Sequence, residues 1–242
     1  MRSSNSRDLL LKPDESLDEF MGGRLRLIQS RRGYRFSIDA VLLSQFVTVK
    51  PGDRVVDLGT GCGIIGLILL LTRAVGSVFG LEIQPHLADL AVRNAILNGF
   101  QNRMRVIVGD IRHPPFTPGK IDLVVCNPPY RKGLSGRINP DSEKAIARHE
   151  IMLSLREMIR TASEVLRPKG RLAMIYPAVR LVDSLSEMRS IGLEPKRMRV
   201  VHPRMDAEAK LVLIEASLRG RGGLKLLPPL MDQGDFSIAR AI

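Results

Sequence analysis

The chain has 242 residues, 44% of them hydrophobic and 26% charged, which excludes a wholly disordered or collagen-like polymer and suits one large globular domain with terminal elaborations. The longest apolar stretch, Ile64 to Leu71, is broken by Gly66 and is too short to cross a bilayer. The N-terminus offers only Leu9 to Leu11 where a secretory leader needs a longer apolar core. Two cysteines, Cys62 and Cys126, and four scattered histidines form neither a disulfide framework nor a metal-ligand spacing, so a cytoplasmic, metal-free protein with no membrane partner is expected, as a monomer. The net charge of +12 is uneven: residues 1–52 carry nine Lys/Arg against six acids, residues 53–125 seven against six, and residues 126–242 twenty-one against thirteen. Arg24, Arg26, Arg31, Arg32 and Arg35 fall in one run without an acid, so basic flanks around a neutral centre can meet a polyanion. The plainer alternative is solubilising surface charge.

Along the chain, residues 1–20 read as a flexible arm. From residue 54, short β-rich runs alternate with helical stretches, the pattern of a parallel sheet covered on both faces. Strands are predicted at 54–58, 77–82, 104–109, 121–126 and 171–176, and helices at 63–72, 85–98, 142–166 and 178–191. In the second helix Leu87, Leu90, Ala91 and Asn94 recur at helical spacing, and Asn98-Gly99 supplies a stop. Runs at 196–202 and 209–217 have too little between them for a helix and suit an antiparallel pair closing the sheet. The Pro/Gly-rich 219–234 segment reads as a loosely ordered tail. The organisation expected is an N-terminal arm and cofactor-covering segment over 1–50, the main domain over 51–218, and a tail over 219–242.

Two motifs carry chemistry. In Val55-Val56-Asp57-Leu58-Gly59-Thr60-Gly61-Cys62-Gly63 a strand ends in an acid, and alternating glycines then let the backbone approach a ligand at a helix N-terminus. Glu82 and Asp110 close the next two strands, so three acids converge on the crevice where open α/β sheets bind ligands; Glu82 can accept both hydroxyls of a ribose. Gly61 to Gly66 also matches the dinucleotide fingerprint, but Asp57 beside the loop would repel a pyrophosphate. A cationic nucleoside without phosphate, S-adenosylmethionine, fits better. The second motif, Asn127-Pro128-Pro129-Tyr130, directly follows the fourth predicted strand. Its prolines restrict the backbone around Asn127, whose side-chain oxygen and the Pro128 carbonyl can accept both hydrogens of an NH2 group, while Tyr130 can stack on the flat group bearing it. Alone, the tetrapeptide would read as an ordinary turn. Cys62 and Cys126 read as small buried residues, His149 beside Glu150 as a capping or solvated pair, and His202 as either a polar sheet-edge residue or an RNA contact.

With both motifs in place, the chain resembles class I S-adenosylmethionine-dependent methyltransferases whose NPPY box serves adenine N6, cytosine N4 or a glutamine amide. Leu25-Arg26-Leu27-Ile28-Gln29, Gly33 to Leu43, Arg137 to Pro140 and Ile146 to Glu150 resemble, in combination, the bacterial valine-tRNA adenine-N6 methyltransferase family, over about residues 16 to 217. The resemblance implies a doubly wound α/β fold, a mostly parallel seven-stranded Rossmann-like sheet with an antiparallel C-terminal strand. It implies methyl transfer from S-adenosylmethionine to the N6 amino group of a tRNA adenine beside the anticodon. It assigns Asp57, Gly59 and Gly61 to the methionine end of the cofactor, Glu82 to the ribose, Asp110 to the adenine, and Phe36 to Asp39 to its cover. Asn127 and Pro128 would hold the target NH2, and Tyr130 would stack on the flipped base. Where many relatives have an aromatic after that tyrosine, this chain has Arg131-Lys132, which suggests a phosphate contact, and Arg31 and Arg32 are candidate substrate contacts. The alternatives are a protein glutamine-N5 methyltransferase, which would not need basic flanks, and a cofactor- and RNA-binding module with negligible turnover.

Overall fold

The computed structural model describes residues 11–32, 35–128 and 155–231. Strands β1 (Glu15–Phe20) and β2 (Leu25–Ser30) form an antiparallel hairpin, followed by α1 (Ile38–Phe46). The alternating core then runs β3 (Arg54–Leu58), α2 (Ile64–Thr72), β4 (Ser77–Glu82), α3 (Pro85–Leu97), β5 (Met104–Val108) and β6 (Ile121–Cys126). After the undescribed stretch come α4 (Leu155–Val165), β7 (Leu166–Pro177), a 3-10 turn, α5 (Leu181–Ser190), β8 (Leu193–His202), β9 (Leu211–Leu218), and the two-residue strands β10 (Lys225–Leu226) and β11 (Leu230–Met231). The main sheet has the order β10-β8-β9-β7-β6-β3-β4-β5, with β11 also on β8. Strands β3 to β7 pair in parallel, and β9 lies antiparallel to both β7 and β8. The expected seven-stranded, mostly parallel sheet with an antiparallel C-terminal strand is present, extended by β10 and β11 along its outer edge.

The central strands carry consecutive apolar residues, Val55-Val56 in β3 and Leu123 to Cys126 in β6, because both of their faces are covered. Val55, Leu123 and Val125 lie in the core under the hairpin, α1, α2 and α3. Val56, Val124 and Cys126 lie in the opposite core with Met158 and Ile159 of α4 and Met188 of α5. Helix α2, IIGLILLLT, is apolar all round and buried from Ile64 to Leu70, as a helix sandwiched between layers must be. Gly66 gives it close approach to the sheet: a Cβ there would stand 2.9 Å from Val78 Cγ1.

Four segments depart from expectation; one is β7, which begins at Leu166 rather than 171. Residues 15–20 are a strand of the hairpin, not part of a flexible arm. The acid-rich Glu15–Phe20 has little strand propensity of its own and is held by partners elsewhere. Glu15 makes a buried two-pronged ion pair with Arg93 of α3, at 2.6 Å for each oxygen, and Asp18 accepts from Gln29 and Arg35 at 2.5 Å each. In the 219–234 segment, residues 225–226 and 230–231 pair in parallel with β8, so that part of it is not a loose tail. Strand β8 begins at Leu193 rather than 196, passing Pro195 at a shift in register where a missing N–H is tolerated. Of the helix expected over 142–166, residues 155–165 are helical, while 142–154 lie outside the described residues.

Candidate active site

The sheet places the functional residues by register. Leu58 lies opposite Leu81 of β4 on one side and Cys126 of β6 on the other, so Gly59, Glu82 and Asn127 leave the sheet at the same edge. Glu82 is in turn opposite Val108, which puts Asp110 at that edge as well. Strand order reverses between β3 and β6, and the carboxyl ends of the strands at such a point enclose the ligand crevice.

The glycine loop is built by left-handed backbone: Gly59, Gly61 and Gly63 have φ of 73°, 56° and 86°. Side chains are disfavoured there, and nothing lies within 4 Å of where a Gly59 Cβ would be, so the loop is open for close approach to a ligand. The Gly59 and Thr60 N–H groups donate to the Leu81 carbonyl at 2.8 and 3.2 Å, tying the loop to β4. Asp57 is fully buried beneath it. Its Oδ2 accepts from the Thr60 hydroxyl at 2.7 Å, while Oδ1 is buried without a hydrogen-bond partner among the described residues. Burial pushes the Asp57 carboxyl up to about 7, against the Thr60 hydrogen bond and with the help of the neighbouring Glu82 charge. An acceptor left unsatisfied at this depth fits a site completed by a donor from outside the protein. Glu82 is also buried and raised by burial; its two oxygens accept from the Gly61 and Gln84 N–H groups at 2.9 and 3.0 Å. A carboxylate can accept about four hydrogen bonds, which leaves capacity for a diol.

Asp110 faces solvent more than the other two acids. Arg112 donates to both of its oxygens, at 2.8 Å from the backbone and 2.5 to 3.1 Å from the guanidinium, and holds the carboxyl below its usual range. Asn127 and Pro128 are half-buried at the end of β6. Tyr130, Arg131, Lys132 and His149 lie outside the described residues. Phe36 is half-buried, stacks edge-on against Phe20 with centroids 5.4 Å apart, and donates its N–H to Gln29 Oε1 at 3.2 Å; Asp39 sits in the first turn of α1.

Arg31 and Arg32 are exposed at the end of the hairpin; the Arg31 Nε–H donates to the Glu15 carbonyl at 2.9 Å. The arginine run is less free than its sequence suggests, since β1 brings Asp18 to Arg35 at 2.5 Å and Glu19 to Arg26 at 3.9 Å. Cys62 and Cys126 are buried, and burial pushes the Cys62 thiol up to about 12 and that of Cys126 well up, so neither is poised as a nucleophile. His202 Nδ1 donates to the Ala207 carbonyl at 2.8 Å, and because β11 pairs with β8 at His202 the residue does not stand at the sheet edge expected for it.

Three site residues were not assigned from sequence: Thr60, Gly80 and Arg112. Thr60 stood in the motif, and its hydroxyl is what holds Asp57. Gly80 makes room for it, because a Cβ at Gly80 would stand 2.7 Å from Thr60 Cγ2. Arg112, two residues after Asp110, followed no recognisable pattern.

This sheet order, with a glycine loop after β3, an acid ending β4 and Asn-Pro ending β6, defines a class I S-adenosylmethionine-dependent methyltransferase. The chain belongs to the methyltransferase small domain family, whose model matches residues 36–187. It is similar to a tRNA1(Val) (adenine(37)-N6)-methyltransferase of Porphyromonas gingivalis, 34% identical over 206 residues that cover 82% of this chain and 80% of the relative. A protein of the same name from Parabacteroides distasonis is 32% identical, over 74% of this chain and 75% of its own length. Among solved structures, a predicted O-methyltransferase of Agrobacterium tumefaciens shares the fold with a TM-score of 0.65 at 22% identity, covering 84% of this chain and 97% of that one. Among the described residues no helix is long and apolar enough to cross a membrane, and no group of three or more His, Cys, Asp or Glu side chains is gathered as for a metal.

Proposed function

We propose that this protein methylates the N6 amino group of an adenine in tRNA, in valine tRNA at the position beside the anticodon, acting in the cytoplasm as a monomer. The observation that carries the reading is the common edge at which the glycine loop, Glu82 and Asn127-Pro128 emerge, in a chain 34% identical to an enzyme of that name. Asp57, Gly59 and Gly61 hold the methionine end of S-adenosylmethionine, Glu82 the ribose and Asp110 the adenine, with Phe36 to Asp39 as cover. The cofactor supplies an electrophilic methyl on a sulfonium. The protein's part is to hold the amine. The adenine amino lone pair is delocalised into the ring, and acceptors on both of its hydrogens, Asn127 Oδ1 and the Pro128 carbonyl, favour a pyramidal nitrogen whose lone pair faces the methyl. The extra proton on nitrogen then passes to water. The base must leave its stack, and Tyr130 offsets part of that cost, about 1 to 3 kcal/mol for base–aromatic stacking. Arg31, Arg32, Arg131 and Lys132 take backbone phosphates, which fix register without reading sequence.

The test is incubation with a labelled methyl donor and, separately, bulk tRNA, DNA and protein extract. Label is expected in tRNA. Label confined to protein would establish the glutamine alternative, and none in any fraction would support a binding module.

A further inference from the structure

Helix α3 carries Asn94 and, one turn on at its C-cap, Asn98, and both point at the edge of β2 that β1 leaves open. Asn94 Oδ1 accepts the Ile28 N–H at 2.7 Å and its Nδ2 donates to the Ile28 carbonyl at 3.1 Å. Asn98 does the same for Arg26, at 2.9 and 2.7 Å. The spacing is not accidental: four helical residues rise about 6 Å, and two strand residues advance about 6.6 Å. Two amides at i and i+4 therefore satisfy alternate residues of a strand as a neighbouring strand would. Leu25, Leu27 and Ile28 are buried, so backbone groups left open on this edge would carry a desolvation penalty.

The two asparagines differ in one bond. Asn98 Nδ2 turns back to the Asn94 carbonyl at 2.8 Å, within its own helix. Asn94 Nδ2 instead donates at 3.0 Å to the carbonyl of Cys62, inside the glycine loop. Its amide orientation is fixed, because flipping it would set an oxygen against two carbonyls. From Ile28 the connection continues through the buried Gln29, whose Oε1 accepts the Phe36 N–H.

We infer that Asn94 is a positioning residue for the cofactor, joining the glycine loop to the N-terminal hairpin so that loop geometry and the segment from Phe36 are set together. The inference rests on the assignment of S-adenosylmethionine to this loop. The test compares Asn94→Ala with Asn98→Ala, titrating each with S-adenosylhomocysteine by calorimetry and recording its melting temperature. Both variants should melt lower, since both free the edge of β2. Only Asn94→Ala should weaken binding, at least tenfold, with Asn98→Ala within twofold of the parent chain. Equal weakening by both, or none by Asn94→Ala, would reduce Asn94 to a structural clamp. Should Asn94→Ala not fold, hydrogen exchange of the unaltered chain decides: saturation with S-adenosylhomocysteine should slow exchange of the Ile28 amide more than that of Arg26, and equal change at both would overturn the inference. An unaltered chain that binds no S-adenosylhomocysteine would refute the cofactor assignment instead.

Discussion

Replacing Asp57 by Asn tests the buried acid at the centre of the site. The side chain is fully buried, and burial together with the Glu82 charge raises its carboxyl from 3.8 to about 7. The folded, ligand-free chain therefore holds a proton that the unfolded chain gives up near pH 4, and stability on this account falls as pH rises from about 4 to about 7, then levels. About three pH units at 1.36 kcal/mol each put the loss at about 4 kcal/mol by pH 8. Asn keeps the shape and can still accept the Thr60 hydroxyl without ionising. The expected result is that Asp57→Asn matches the parent chain in urea unfolding near pH 4 and becomes the more stable of the two, by a few kcal/mol, at pH 8. S-adenosylmethionine binding should weaken in the same variant, because its ammonium loses a carboxylate. In the parent chain, affinity for the cofactor should rise with pH up to about 7. A stability difference that stays constant from pH 4 to 8 would refute the reasoning, since it would mean that Asp57 does not titrate in that interval.

Three further outcomes are expected. Asn127→Ala should lose most methyl transfer while S-adenosylhomocysteine affinity, measured by calorimetry, stays nearly unchanged; near-normal turnover would remove Asn127 from the mechanism. Neutralising Arg31 and Arg32 together should make the dependence of log tRNA affinity on log salt shallower by about one to two units, checked by filter binding across a salt series. Glu15→Ala removes the two carboxylate contacts at 2.6 Å from the Arg93 guanidinium, whose side chain is only 11% exposed, and leaves it the Asp89 pair at 3.0 Å; the loss of hydrogen bonds to a largely buried charge should cost about 1 to 3 kcal/mol in denaturant unfolding.

What sequence made legible follows from where the physics is local. The parallel strands β3, β4 and β6 were readable to the residue because both of their faces are buried, so consecutive positions in each are apolar. The glycine loop was readable because positive φ at three positions admits little else. Glu82 and Asp110 could be placed because strand ends in such a sheet share an edge. Strand β1 was not readable. Glu15–Phe20 owes its conformation to Arg93, Gln29 and Arg35, which lie 11 to 78 positions away. The one local signal was Gly22-Gly23 ahead of the alternating Leu25 and Leu27, the turn and inner face of a hairpin. The arginine run likewise looked free of acids only along the chain, since Asp18 and Glu19 face it across the hairpin. Strands β10 and β11, two residues each, have no periodicity to detect.

The most direct test of the account uses a valine tRNA transcript incubated with the protein and S-adenosylmethionine, then digested to nucleosides and analysed by mass spectrometry. The account predicts N6-methyladenosine, formed at the adenine beside the anticodon and absent when that base is replaced by guanine. Methylation of cytosine, or an adenine product that persists after that replacement, would contradict it.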